Sequence, residues 1–434
     1  GGQRMSQYRA YPAYKDSGVE WIGQVPEHWE VKPICRVTSV NDDVLPDSTT
    51  DDTPIRYVDI SSVGYMEGIK QASDMCFADA PSRARRKASS GDVIISTVRT
   101  YLKAVAAVTD EYADCVFSTG FAVLRARHLD RSFLKWMVLN ELLIQAIEAH
   151  SEGLSYPAIN ASALVKLKSV IPPPEEQASI AATLDRETAR IDALIEKKTR
   201  FIELLKEKRQ ALITHAVTKG LDPNVKMKDS GVEWIGQVPE HWKVARVKRL
   251  ASLRNERRND VSTDTIYIGL EDVEAGSGQY KPTNGSSRQS EDSTVGIFYE
   301  GDVLYGKLRP YLRKAIISEM AGCCSTEFLV LRAEKTEPRW LQEWLLTPDV
   351  THQIVSGCEG AKMPRADWGH IGSIEVVYPD QPEQAKILTS LDRETARIDA
   401  LISKTEQSIT LLKERRAAFI TAAVTGQIDL RGKQ

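Results

Sequence analysis

The twelve residues from Leu184 to Ile195, LDRETARIDALI, return letter for letter at Leu391 to Ile402. A chain carrying a copy of itself is constrained first by that repeat, because any fold must house both copies. Around each copy the apolar residues keep a seven-residue rhythm. Positions alternately four and three apart read Leu184, Thr188, Ile191, Ile195, Lys198, Ile202, Leu205, Arg209, Leu212 and Ala216 in the first. In the second they read Leu391, Thr395, Ile398, Ile402, Thr405, Ile409, Leu412, Arg416, Phe419 and Ala423. This is a coiled-coil seam with polar interruptions, flanked by Glu, Lys and Arg. Its apolar members are the candidate helix-pairing residues, and the obvious partner of each helix is the other copy.

The ends of these helices are marked. Pro172, Pro173 and Pro174 followed by Glu175, Glu176 and Gln177 form a start signal: proline ends a strand and fits the first helical turn, where acids complement the helix dipole. Pro379, Asp380, Gln381, Pro382, Glu383 and Gln384 repeat it. The helices are expected to run to about Lys219–Gly220 and to Gly426. A helix of roughly 40 residues is about 60 Å long, more than one globular domain needs, so it separates things or spans them.

The duplication reaches beyond the helices. Lys15 to Trp29, KDSGVEWIGQVPEHW, is identical to Lys228 to Trp242. Gly91-Asp92-Val93 matches Gly301-Asp302-Val303, and Ser118-Thr119 matches Ser325-Thr326. The register narrows along the chain and is constant from Ser118 through Pro157 and Pro364, so insertions and deletions lie between Trp29 and Ser118 and in the matching stretch. Sequence there has also diverged most. Near-identical rods beside divergent globular halves are what one expects when common machinery carries two versions of one domain, each for a different target.

Each half has the same coarse layout. Strand-like runs are expected at Ile55–Ile60, Val93–Val98, Thr265–Leu270 and Val303–Gly306. Amphipathic helices follow, at about Phe133–Ala149 and Trp340–Val355, and final strands at Leu164–Ile171 and Ile371–Tyr378 lead into the long helices. The fold class is α+β, with each half large enough for its own core.

Composition excludes some classes. With 42% hydrophobic and 27% charged residues the chain reads as ordinary globular protein of more than one domain. No apolar run approaches the roughly 20 residues of a membrane span. Gly1–Arg4 ahead of Met5 is expected to be an appended remnant, no signal peptide is expected after it, and the expected location is cytoplasmic. Cys35, Cys76, Cys115, Cys323, Cys324 and Cys358 form no CxxC pair and do not match between the halves, so reduced thiols and no metal site are expected. A net charge of −3 is unusual for a dedicated nucleic-acid binder unless charge is segregated or a partner supplies it.

Catalytic motifs are scarce. Gly306-Lys307 is followed by Leu308 and lacks the upstream glycine of a phosphate loop. Pro172–Pro174 lead only into Glu, not into a polar-proline-proline-aromatic motif that would hold a flipped base. His28 and His241 sit in the repeated PEHW as packed turn residues, and Glu271-Asp272 has no equivalent in the other half. The chain is expected not to be an enzyme by itself.

Basic clusters with interleaved aromatics are the stronger signal. The first half offers Arg83, Arg85, Arg86 and Lys87, then Arg99, Tyr101 and Lys103. The second offers Arg254, Arg257 and Arg258, then Lys307, Arg309, Tyr311, Arg313 and Lys314. Arg99 aligns with Arg309 and Tyr101 with Tyr311 in a repeated R[TP]YL[KR]. Arg and Lys neutralise phosphates, and Arg also reads guanine edges.

Two divergent domains, each opened by GVEWIGQVPEHW and each closed by PPPEEQ or PDQPEQ running into LDRETARIDALI, resemble the specificity subunit of type I DNA restriction-modification systems, over about Tyr11 to Leu430. The resemblance implies target-recognition domains at 11–172 and 221–379, each contacting half of a bipartite DNA sequence. It implies conserved helices at 173–220 and 380–426, packed antiparallel as a spacer, with a short start at 1–10 and a tail at 427–434. Ile428-Asp429-Leu430 echoes Leu221-Asp222 of the central linker, so a circular arrangement with a pseudo-twofold axis is expected. The implied partners are two modification subunits, which methylate adenine with S-adenosylmethionine, and two restriction subunits, which use ATP and Mg; none of these cofactors is expected on this chain. A non-catalytic coiled-coil scaffold spacing two protein-binding modules is the alternative, and a self-contained enzyme a third.

Overall fold

The computed structural model describes residues 8–262, 264–283, 293–358, 360 and 362–431, so the expected remnant Gly1–Arg4 lies outside the described residues. The chain divides into two compact units, Gly1–Thr199 with Gln407–Gln434, and Arg200–Glu406.

In the first unit a four-stranded antiparallel sheet runs in the order Thr38–Val40, Phe121–Ala126, Val93–Ser96, Val105–Ala107. A five-stranded sheet runs Asp43–Val44, Ala84–Lys87, Val116–Ser118, Pro54–Val58, Ser73–Cys76, with one parallel pairing between Val116–Ser118 and Pro54–Val58. Helices α1 (Arg131–Val138), α2 (Glu141–Ala149) and α3 (Ala161–Leu164) follow, then strand Lys168–Ile171, which pairs with Glu30–Pro33, and the long α4 (Pro174–Lys219). The second unit has the sheet Ala251–Leu253, Phe328–Ala333, Val303–Gly306, Ala315–Ile317 and the sheet Arg257–Arg258, Val295–Phe298, Gly322–Cys324, Tyr267–Ile268. These are the strand orders of the first unit without its last edge strand. Then come α5 (Pro338–Leu345), α6 (Pro348–Ser356), α7 (Trp368–Ser373), strand Glu375–Tyr378 paired with Lys243–Arg246, and α8 (Gln381–Val424).

The middle strands are apolar without interruption because both their faces are covered. Val93 and Ile95 enter the core built with Phe133 and Leu134 of α1, while Ile94 between them enters the core around Phe117. Val303 and Tyr305 likewise face Leu341 and Trp344 of α5, and Leu304 faces Phe298. Strand alternation thus feeds two cores from one segment.

Several expected elements are divided. The helix expected over Phe133–Ala149 is broken at Asn140, whose side-chain oxygen accepts from the Leu142 amide and starts α2 afresh. Its counterpart breaks before Pro348, which cannot donate within a continuing helix and instead opens α6. The final strands are shorter than expected, at Lys168–Ile171 and Glu375–Tyr378, because α3 and α7 occupy the approach; Asp367 caps α7 by accepting from the His370 amide. The strand expected over Thr265–Leu270 shrinks to Tyr267–Ile268, whereas Val303–Gly306 is found as expected.

Both long helices bury the stripe read from the heptads. Leu184, Ile191, Ile202 and Leu205 on α4, and Leu391, Ile398 and Phe419 on α8, are buried; Ile195, Leu212, Ile402, Ile409 and Leu412 are half-buried. The off-stripe residues Leu194, Phe201, Leu204, Leu401 and Leu411 are exposed. In the first unit Arg416 Nη1 contacts Asp192 Oδ1, and in the second Arg209 Nε lies 3.0 Å from Asp399 Oδ1.

The repeated PEHW and the repeated helix start meet. Trp29 is fully buried, and its Nε1 donates to Glu176 Oε2 at 3.0 Å, beside the Tyr11 hydroxyl donating at 2.8 Å and His28 Nε2 at 2.6 Å from Oε1. In the second unit Trp242 Nε1 and His241 Nε2 approach Glu383 at 3.1 and 2.7 Å. The neighbouring glutamines act too: Gln177 Oε1 accepts from the Asp130 amide and Gln384 Oε1 from the Glu337 amide. Burying a tryptophan removes about 200 Å² from water, worth about 4–5 kcal/mol, and the carboxylate satisfies the indole N–H that burial would otherwise leave unpaired. Each tryptophan and its glutamate therefore tie a domain to its helix, and His28 and His241, expected as packed turn residues, are exposed and reach the same carboxylates from the solvent side.

Candidate nucleic-acid interface

In both halves the repeated basic element leaves the end of a middle strand as a tight 3-10 turn, Thr100–Leu102 or Pro310–Leu312. The residues on either side, Arg99 and Lys103 or Arg309 and Arg313, are all left-handed, with φ of 50°, 49°, 53° and 50°. Side chains with a Cβ rarely adopt this conformation, at about 1 kcal/mol or more each, and such residues cluster where function needs them. The turn lifts an aromatic into solvent: Tyr101 is 52% exposed and Tyr311 50%. Neither Arg99 nor Arg309 makes an ion pair among the described residues.

A second loop braces the turn. In the first unit the Thr100 amide donates to Pro157 O at 3.4 Å, Val98 bridges Ala158, and the Arg99 guanidinium stands 5.1 Å from the Tyr156 ring centre. In the second the Arg309 amide donates to Pro364 O at 2.8 Å and Leu308 bridges Arg365. The exposed Leu154, Tyr156 and Met363 on this loop were not among the residues singled out from sequence. The signal that finds them is a second repeat, Gly-x-x-Tyr-Pro at Gly153–Pro157 and Gly-x-x-Met-Pro at Gly360–Pro364.

The remaining basic candidates have local partners in varying degree. Arg83 Nε donates to the Tyr57 hydroxyl at 3.2 Å and its Nη2 is 3.2 Å from Asp59 Oδ1; Arg85 lies over the Phe77 ring; Lys87 Nζ donates to Asp114 O at 2.9 Å. Arg86 sits in a sheet strand, where burial lowers its pKa and leaves Nε without a hydrogen bond among the described residues. Arg254 is engaged on three sides: Nε and Nη2 reach Asp302 at 2.8 and 3.1 Å, and the guanidinium stacks 4.7 Å over Tyr299. Those hydrogen bonds to Asp302 raise its pKa despite burial. Arg125 serves the equivalent Asp92 from a different strand. Arg258 pairs with Glu256 while Arg257 beside it is exposed, Arg313 Nη1 donates to Gln210 Oε1 at 3.2 Å, and Lys314 Nζ donates to Leu270 O at 2.7 Å. Lys307 is half-buried, its backbone held between Glu327 and Ala366. Of all the candidates, only the two R-x-Y turns bring a cation and an exposed aromatic together in the same way in both halves.

Among the described residues no helix is long and apolar enough to cross a membrane, and no group of three or more His, Cys, Asp or Glu is arranged to hold a metal ion.

No family model matches the chain. The specificity subunit of the type I restriction enzyme EcoDI from Escherichia coli is 21% identical over 312 residues, covering 68% of this chain and 70% of that one. A solved chain from a study of complex assembly and conformational transition in a type I restriction-modification system superposes with a TM-score of 0.68, at 19% identity, over 94% of this chain and 99% of that one. The HsdS subunit from Thermoanaerobacter tengcongensis superposes with a TM-score of 0.50, at 20% identity, over 93% and 98%. These structures share the fold, and the curated relative shares sequence across two thirds of the length. By that relative, that fold and its own duplicated motifs, the chain is similar to the specificity subunits (HsdS) of type I restriction-modification systems.

Proposed function

We propose that this chain supplies DNA sequence specificity to a type I restriction-modification complex, each half reading one part of a bipartite duplex target. The observation that carries the reading is the R-x-Y turn: two diverged domains keep the same strained backbone, the same arginine and the same exposed tyrosine. A feature shared by domains that read different bases is suited to what all DNA shares, the phosphate backbone, so Arg99 and Arg309 are assigned phosphate contacts. The name and sequence of the Escherichia coli relative support the specificity role.

In this reading α4 and α8 pair antiparallel and set the spacer between half-sites. The buried heptad stripe and the Asp192–Arg416 and Arg209–Asp399 contacts support that pairing. A circular order of the halves is supported by the Asp429 amide, which donates to Arg9 O at 2.7 Å and returns the end of the chain to its beginning. The chain is non-catalytic in this reading. Two modification subunits dock on the helices and bring S-adenosylmethionine, and two restriction subunits bring the ATP and Mg chemistry. They also supply positive potential that a chain of net charge −3 lacks.

The test is Arg309→Ala in the assembled methyltransferase, with binding measured on cognate and single-mismatch duplexes across a salt series. Loss of one phosphate contact weakens all sequences alike and lowers the salt slope by about one. Affinity equal to wild type at every salt would sink the assignment, and that for Arg99 with it.

A further inference from the structure

The brace beside each R-x-Y turn makes the equivalent backbone bridge in both halves, Val98 to Ala158 and Leu308 to Arg365, and carries a different side chain at its tip. Gly153 and Gly360 are left-handed, with φ of 106° and 93°, and each loop doubles back until a Cβ on the glycine would stand 3.3 Å from the carbonyl oxygen of Tyr156 or Met363. Only glycine suits that position, and the doubling back presents the residue before the proline. Tyr156 is 66% exposed and Met363 51%. Leu154 beside Tyr156 has no cover at all.

A large apolar tip in water next to an arginine is unfavourable unless a partner covers it. That partner must offer negative charge to the arginine and apolar surface to the tip, which in the first half stand 5.1 Å apart from guanidinium to ring centre. A DNA duplex does both, with phosphates on its backbone and base faces and thymine methyl groups in its grooves. The tip is also where the halves part. Frame glycine, frame proline, arginine and turn tyrosine are all kept, while Tyr156 stands where the other half has Met363.

Resting on the DNA-specificity reading above, we propose that Tyr156 and Met363 are specificity-determining residues, each packing against bases of its own half-site. The fixed arginine beside each sets its depth on the backbone. Tyrosine offers a flat ring and a hydroxyl that hydrogen-bonds, while methionine offers a polarizable, donor-free chain that fills apolar space. The two tips therefore favour different bases at equivalent positions.

The experiment uses Tyr156→Met and Met363→Tyr in the complete complex with modification subunits, reading the methylated motif by sequencing and affinities on single-mismatch duplexes. Because both residues are exposed, folding is checked by unchanged melting. Tyr156→Met is expected to relax or change one position of one half-site, with discrimination there falling by about tenfold to a hundredfold and the salt slope unchanged. Met363→Tyr is expected to do the same in the other half-site only. An unchanged motif for both variants, or uniform weakening on every sequence, overturns the proposal while the wild-type complex still discriminates its target. A wild-type complex that fails to distinguish cognate from mismatched duplex instead overturns the reading beneath it.

Discussion

Arg209 of α4 and Asp399 of α8, 190 residues apart in sequence, meet with Nε 3.0 Å from Oδ1. The repeat makes them the counterparts of Arg416 and Asp192, so one ion pair occurs twice with the helices exchanging roles. The Asp399 carboxylate is partly in water, which screens the pair to about 0.5–1 kcal/mol. A double-mutant cycle with Arg209→Ala and Asp399→Ala, followed by denaturant unfolding, is expected to return a coupling energy of that size. A coupling of zero would show that the seam alone aligns the two helices.

Glu176 is the more heavily used of the two helix-start carboxylates. It is nearly buried and serves Tyr11, His28 and Trp29, with Arg431 3.8 Å away; Glu383 is more exposed and, among the described residues, its side chain serves His241 and Trp242. Glu176→Ala leaves the buried indole N–H and the Tyr11 hydroxyl without an acceptor and is expected to cost about 2–4 kcal/mol, against about 1 kcal/mol for Glu383→Ala. Unfolding curves of the two variants give the ranking. Equal losses would contradict it.

Glu343 on α5 is the group to watch with pH. Burial raises its pKa, outweighing the Arg339 ion pair 2.6 Å away, which acts in the opposite direction. Its contribution to stability is complete below the ordinary glutamate pKa of about 4.3 and is lost as pH rises through the raised folded-state value. Glu343→Gln removes the buried charge, and Arg339 keeps Asp392 at 3.6 Å. The variant is expected to be more stable than wild type at pH 7 and closest to it near pH 4, as read from melting temperatures. A constant difference across pH would show that Glu343 does not titrate in that window.

If the helices set the DNA spacer, their length is a ruler. Seven residues inserted after Leu205 and after Leu412 preserve the heptad phase and lengthen each helix by about 10.5 Å, about three base pairs at 3.4 Å. The methylated motif of the altered complex should keep both half-sites and gain that many unread positions. An unchanged spacer would remove the helices from that role.

What the sequence determined by itself is what depends on local order. The duplication is visible as identity, and the buried stripe of α4 and α8 follows from a heptad rhythm, since the faces of a helix are set by spacing along it. The Pro172–Pro174 start and the strand Val303–Gly306 are local in the same sense. The Asn140 break was missed because the apolar rhythm carries on across it, and a cap depends on one hydrogen bond. Tertiary structure alone decided which distant groups meet. No spacing rule joins Trp29 to Glu176, commits Arg254 to Asp302, or sets Tyr156 beside Arg99. Those pairs lie tens to more than a hundred residues apart, and only the closing of sheets and helices around shared cores brings them within reach.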